Sequence, residues 1–215
     1  MKILITGGGC EEPIDNVRSI CNFSTGRTST EIANTLIDSF KSNIDVTAIM
    51  AEKAVKPKNC NIKTFKTFQQ LEDLIKKECS SEIYDVIIHA AAVSDYSPEY
   101  VIIDEIKYKI GEIPKISSQN SLQIVMKKNP KILNSIKNWT ENSCKLIGFK
   151  LTSNATEEER NIAVNKLFSE ENSPDYVVAN DLSEITETEH PFYIYSKMGL
   201  IKKVFTVKEL INIII

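Results

Sequence analysis

Three consecutive glycines, Gly7, Gly8 and Gly9, close a short apolar run from Lys2 to Thr6, and a second passage of small residues, Ser24, Thr25 and Gly26, leads into helical periodicity over Thr30 to Phe40. Glycines at a strand exit expose backbone amides with no side chain in front of them. A helix start adds unpaired N–H groups and about half a positive charge. Both features suit an anion, and together they suit a polyphosphate. Ser24 or Thr25 is expected to cap the helix. Small and polar residues also collect behind three later apolar runs, at Ala90, Ala91, Ala92 and Asp95, at Gly148 and Phe149, and at Asn180 and Asp181. His89 reads as a core histidine closing its strand, with its backbone nearer to any ligand than its ring.

Other chemistries lack material. Gly9 is followed by Cys10, Glu11 and Glu12, which gives neither a P-loop nor a dinucleotide fingerprint and disfavours NAD. Tyr193 and Lys197 have the spacing of a helical proton-transfer pair, but Pro191 and the Met198-Gly199 turn argue for a strand, which sets the two about 13 Å apart. Only His89 and His190 are present, little for a triad, and no residue set is assigned as metal ligands. Cys10, Cys21, Cys60, Cys79 and Cys144 are odd in number and scattered, as in a reducing compartment.

The elements that must hold these residues alternate. Strands are expected at Lys2 to Thr6, Ile44 to Met50, Asn61 to Phe65, Asp85 to His89, Lys145 to Lys150 and Tyr176 to Asn180. Helices are expected at Thr30 to Phe40, Phe68 to Lys77, Pro130 to Trp139 and Thr156 to Ser169, the last opened by Thr156 with Glu159 three residues on. Phe192 to Tyr195 and Leu200 to Phe205 read as a hairpin, and Thr206 with Glu209 starts a final helix. Between about 97 and 121 periodicity fails around Pro98, Gly111 and Pro114, which predicts a structureless, mobile flap. The order implies an α/β fold: a doubly wound, mostly parallel, Rossmann-like sheet with helices on both faces and a C-terminal antiparallel hairpin, one domain over residues 1–215. Such sheets take ligands outside the carboxyl ends of their strands.

The chain of 215 residues is 42 % hydrophobic and 26 % charged, ordinary for a globular domain. Its 26 Lys and Arg against 29 Asp and Glu leave a net charge of −3, so no positive field draws it to nucleic acid or to an anionic membrane. A small molecule is the expected partner. The longest apolar run, Val86 to Val93, falls far short of the roughly 18 to 20 residues of a bilayer span. The apolar opening stops at Gly7, too soon for a signal peptide, and the expected location is cytoplasmic.

Five passages in order resemble one family. Gly7-Gly8-Gly9, Glu12-Pro13-Ile14-Asp15-Asn16-Val17-Arg18 and Asn22-Phe23-Ser24-Thr25-Gly26 resemble the opening of phosphopantothenate-cysteine ligases. His89-Ala90-Ala91-Ala92-Val93-Ser94-Asp95-Tyr96 is similar to that family's alanine-rich nucleotide loop, and Lys115-Ile116-Ser117-Ser118 to its flap lysine motif. Ile147-Gly148-Phe149-Lys150 and Ala179-Asn180-Asp181 match its last strand ends, and the lack of a fused flavin-binding decarboxylase domain resembles the stand-alone bacterial form. Ser29 departs from the pattern, since the family usually has glycine there.

The resemblance implies a reaction in coenzyme A synthesis. The carboxylate of 4'-phosphopantothenate attacks the α-phosphate of CTP, pyrophosphate leaves, and the amine of L-cysteine displaces CMP from the acyl-cytidylate. It implies Mg2+ bridging the phosphates of CTP, Lys115 as the cation that offsets growing charge, and Asn22 and Arg18 at the intermediate, with the loop near Arg18 at a homodimer contact. It implies nucleotide contacts from Gly7 to Gly9, Ser24 to Gly26, His89 to Ala92, Asp95, Phe149, Lys166, Asn180 and Asp181. The preference for CTP over ATP stays open. Two other readings remain, an NAD(P)-dependent oxidoreductase on a similar sheet and a non-catalytic regulatory homologue that binds nucleotide.

Overall fold

Residues 1–118, 121–141 and 143–215 are described by the structure, a computed structural model. In chain order the elements are β1 (Lys2–Gly7), β2 (Glu11–Pro13), β3 (Ser19–Cys21), α1 (Arg27–Phe40), β4 (Asp45–Ala51), β5 (Asn61–Phe65), α2 (Phe68–Ser81) and β6 (Val86–His89). There follow β7 (Tyr96–Ile103), β8 (Ile106–Lys109), β9 (Leu122–Lys128), α3 (Ile132–Trp139), β10 (Lys145–Thr152) and α4 (Glu157–Phe168). The chain ends with β11 (Tyr176–Asp181), β12 (Phe192–Ser196), β13 (Gly199–Val204) and α5 (Val207–Ile214).

Eight strands form one sheet in the order β13-β12-β11-β10-β6-β1-β4-β5, parallel from β11 to β5, with β12 and β13 added antiparallel at one edge. The Rossmann-like, doubly wound expectation therefore holds. Strand direction of winding reverses between β1 and β6, where a parallel sheet leaves a crevice at its carboxyl edge. The apolar runs are continuous because both faces are covered. Ile3, Ile5, Val86, Ile88 and Ile147 bury against α1 and α5, and Leu4, Ile87 and Leu146 against α2 and α3. Val177 and Ala179 pack beside Val164 of α4.

Helix starts follow local chemistry at three places. Thr67 with Gln70, Thr156 with Glu159 and Thr206 with Glu209 each form a capping box, in which the hydroxyl and the side chain three residues on satisfy two orphan N–H groups. The cap expected at Ser24 or Thr25 is corrected. The residue at the start of α1 is Gly26, at φ 70°, with no side-chain cap. It packs so close to Ala54 and Met50 that a Cβ would collide, which explains why a glycine takes the position, and Thr25 Oγ1 accepts the Arg27 N–H from just outside the helix at 3.4 Å.

The structureless reading of residues 97–121 is also corrected. β7 pairs antiparallel with β8 on one side and β9 on the other, a separate three-stranded sheet. It has its own small core, in which Val101, Ile103 and Ile116 meet Ile14 of the β2–β3 hairpin loop. Gln119 and Asn120, at the end of that expected flap, lie outside the described residues.

Candidate functional site at the switch point

The crevice between β1 and β6 is bridged at its base. Ala92 donates N–H to Gly8 O at 2.8 Å and Cys10 donates to Ala92 O at 3.1 Å, so the two strand exits travel together before parting. Each glycine of the triplet answers a packing demand. A Cβ at Gly7 would strike Ser29 Oγ, one at Gly8 would strike Ala51 and Ala54, and one at Gly9 would strike the Asn22 carbonyl. The Ala51–Ala54 turn is in turn held by Lys56, whose ammonium donates to the carbonyls of Ala51, Glu52 and Ala54, each at 2.7 Å.

A cavity of about 830 Å³ opens here, lined by Asn22 to Ser29, His89 to Val93, Asp95, Lys131 to Asn134, Phe149 to Leu151, Ala163, Lys166, Leu167 and Asn180 among others. Thirteen expected site residues thus divide from the rest: Asn22, Ser24, Thr25, Gly26, His89, Ala90, Ala91, Ala92, Asp95, Phe149, Lys166 and Asn180 line it, and Gly9 lines a neighbouring space of about 750 Å³ with Asn22 and Ser24. Cys21 to Thr25 borders both spaces, a wall one chain thick. Arg27, Lys131, Lys150 and Lys166 face the larger cavity against Asp95 and Glu170, a surplus of positive charge that favours an anionic ligand. Lys131 and Asp95 pair at 2.5 Å.

Asn22 ties the wall to the alanine-rich loop. Its Nδ2 donates to the carbonyls of Ala92 at 3.3 Å and Val93 at 2.9 Å. Asn180 Nδ2 lies 2.9 Å from His190 Nε2, whose ring burial holds in the neutral form by lowering its pKa.

Five expected residues border neither space. Gly7 and Gly8 are buried beneath the larger cavity, in contact with α1 and the turn after β4. Asp181 is buried and committed, accepting from Thr152 Oγ1, Asn154 N, Ala155 N and both donors of Ser183 between 2.6 and 3.0 Å. Burial alone would push its carboxyl up, and those donors outweigh it and hold it below the usual carboxylate range. Arg18 is engaged within the protein. Its Nη1 donates to Asp15 Oδ2 at 2.6 Å and to Ile116 O at 3.0 Å. Lys115 borders neither space, while the backbone beside it is pinned by Asn16 N–H to Pro114 O at 3.0 Å and by Ile116 N–H to Asp15 Oδ2 at 2.9 Å.

Sequence reasoning passed over Arg27, Lys131 and Thr6. Lys131 follows Pro130 at the start of a helix after a strand, a position that faces the carboxyl edge in this fold, and that placement was the available signal. Tyr193 and Lys197 do not cooperate, since the Tyr193 hydroxyl donates to Glu184 at 2.7 Å.

Fold and crevice together define a doubly wound α/β protein whose open ground lies at the sheet's switch point. Residues 1–208 match the DNA/pantothenate metabolism flavoprotein C-terminal domain, and the chain belongs to that family. It is 30 % identical over 189 residues to the coenzyme A biosynthesis bifunctional protein CoaBC of Thermococcus kodakarensis, covering 88 % of this chain and 43 % of the relative. With the CoaBC protein of Vibrio vulnificus it shares 31 % over 185 residues, 85 % of this chain and 41 % of the relative. The chain thus spans less than half the length of these curated relatives. Among solved structures it is similar to the DNA/pantothenate metabolism flavoprotein from Streptococcus pneumoniae, with TM-score 0.85 and 33 % identity over 99 % of this chain and 95 % of that one. The C-terminal domain of CoaBC shares the fold at TM-score 0.69 and 22 % identity, covering 98 % of this chain and 93 % of that one.

Proposed function

We propose that this chain is a phosphopantothenate-cysteine ligase of coenzyme A biosynthesis, working through an acyl-cytidylate made from CTP. The observation that carries the reading is the switch-point cavity, where the uncapped start of α1 and a surplus of lysine and arginine face the alanine-rich loop. Its family and its CoaBC relatives support the same assignment.

The chemistry asks for little from side chains as nucleophiles. The substrate carboxylate supplies its own attacking oxygen, pyrophosphate and then CMP depart, and the cysteine amine closes the amide. What the protein must do is hold like-charged groups together and offset charge as it grows. The first-turn amides of α1 and the cations Arg27 and Lys166 are placed for the nucleotide phosphates. Asn22 keeps the wall and the alanine-rich loop in register, and Arg18 with Asp15 positions the segment that carries Lys115. Lys115, which borders neither space, is the cation this reading assigns to the growing phosphate charge.

Among the described residues no group of three His, Cys, Asp or Glu side chains is set to hold a metal. Mg2+ enters in this reading with the nucleotide, bound chiefly by its phosphates and waters, as is usual for that ion. Two copies of the chain forming a dimer, and a cytoplasmic setting, belong to the same proposal. No helix among the described residues is long and apolar enough to cross a membrane.

The test is pyrophosphate release from CTP and Mg2+ with and without 4'-phosphopantothenate, followed by CMP release on adding L-cysteine. Release that depends on 4'-phosphopantothenate supports the ligase, and CTP turnover indifferent to it overturns it. ATP in equal concentration against CTP measures the base preference.

A further inference from the structure

His89 was expected to matter for its backbone, yet its ring has an unusual position. It is 5 % exposed, at the end of β6 on the α3 side of the sheet, and it lines the larger cavity. Nδ1 lies 2.9 Å from Thr6 Oγ1, and the same oxygen accepts the Ala91 N–H at 3.2 Å. Thr6 is fully buried. With the Thr6 hydroxyl as donor to Nδ1, the neutral ring carries its proton on Nε2. Among the described residues the side-chain polar atoms sealed off without a partner are Ser173 Oγ and Glu184 Oε2. His89 Nε2 has no partner among the described residues and is not sealed off, so it opens on the cavity.

The start of α3 stands over the same floor. Lys131 to Asn134 line the cavity, the helix has no side-chain cap, and Gly148 has no Cβ in the way of Leu133. An N–H donor, an uncapped helix start and Lys131 therefore converge on the face of the sheet opposite α1.

We infer that His89 is a substrate-binding residue with a fixed tautomer, whose Nε2–H donates to an anionic oxygen of the ligand at a second anchor point beside the start of α3. This deepens the ligase reading, on which it rests for the identity of the ligand, by giving the reacting molecules one anchor on each face of the sheet. Phosphoryl and carboxylate oxygens share the required chemistry. Burial lowers the His89 pKa to about 4, so the ring is a neutral donor at neutral pH and holds an anion without competing for its charge.

The chain has two histidines, so nitrogen NMR of histidine-labelled protein reads the ring directly, with His89→Gln assigning the signals. The expected result at pH 7 is a neutral ring protonated on Nε2, whose Nε2 signal shifts on saturation with inorganic tripolyphosphate, CTP or pantothenate. Titrated separately, these distinguish phosphoryl from carboxylate oxygen. A ring protonated on Nδ1, or an Nε2 signal indifferent to all three, overturns the proposal. In the variants, His89→Leu is expected to weaken binding of the ligand that shifts the signal by about tenfold to a hundredfold, and His89→Gln, which keeps an N–H donor, by far less. Equal losses in both overturn it. A shifted signal in a protein without ligase turnover would uphold His89 and sink only the ligase reading.

Discussion

Ile116 donates its N–H to Asp15 Oδ2 at 2.9 Å, across 101 residues of chain. Arg18 closes the ring by donating to that carboxylate and to the Ile116 carbonyl. Asp15 also receives the N–H groups of Val17 at 2.8 Å and Arg18 at 2.7 Å, so one carboxylate organises the β2–β3 loop and the Lys115 segment together. The Ile116 N–H is the strongest influence holding its carboxyl down, to about 2, against the opposing effect of burial.

That ring sets an acid limit. An unfolded aspartate titrates near about 3.9, above the folded value, so the stabilisation is complete above about pH 4 and is lost as pH falls toward 2. Asp15→Asn is expected to lower the urea midpoint at pH 7 and to flatten its fall between pH 4 and 2. Wild type and variant losing stability in parallel over that window would refute the assignment.

Lys115→Ala is expected to slow cytidylate formation by a factor of hundreds, about 3 to 4 kcal/mol if the lysine acts as a preorganised charge-stabilising donor does. Thermal stability should change little, because Lys115 is exposed. Pre-steady-state pyrophosphate release measures the step, and an unchanged rate removes Lys115 from the chemistry.

Asn22→Asp replaces the donor that spans Ala92 O and Val93 O with a carboxylate, setting like partial charges against each other. The expected outcome is a larger loss in CMP release than in pyrophosphate release, because the new charge also faces the phosphate of the intermediate. Equal losses in the two half-reactions would show that Asn22 serves the wall alone.

Gly7→Ala forces a Cβ against Ser29 Oγ and the Met50 methyl. Overpacking of this kind costs about 1 to 3 kcal/mol. Ser29→Gly removes the hydroxyl that bonds Gly26 O at 2.9 Å, and on its own costs stability too. In the double variant the Gly7→Ala penalty is expected to shrink, a non-additivity that denaturant midpoints measure directly. Strict additivity would mean that Met50, not Ser29, sets the limit.

The main sheet was legible because its strands are buried on both faces and read as uninterrupted apolar runs; Asn61–Phe65 was placed to the residue. The capping boxes at Thr156 and Thr206 were equally plain. The small sheet was hidden for two reasons. β7 turns into β8 through Asp104 and Glu105, both at positive φ, without the glycine that usually announces such a hairpin. β7 also carries Pro98 at an irregular register with β9, which breaks the alternation. The cavity lining was mostly legible because small residues at strand ends have few other uses. The engagement of Arg18 was not legible because its partners, Asp15 and Ile116, combine a local and a distant contact, and only the nearer is adjacent in sequence.

The thin partition from Cys21 to Thr25 has a consequence for shape. A molecule occupying both chambers has to bend over it, so hinged, flexible compounds can span the two while stiff rods are confined to one. Inhibitors of the same length and charge would on this basis separate by their number of rotatable bonds near the midpoint.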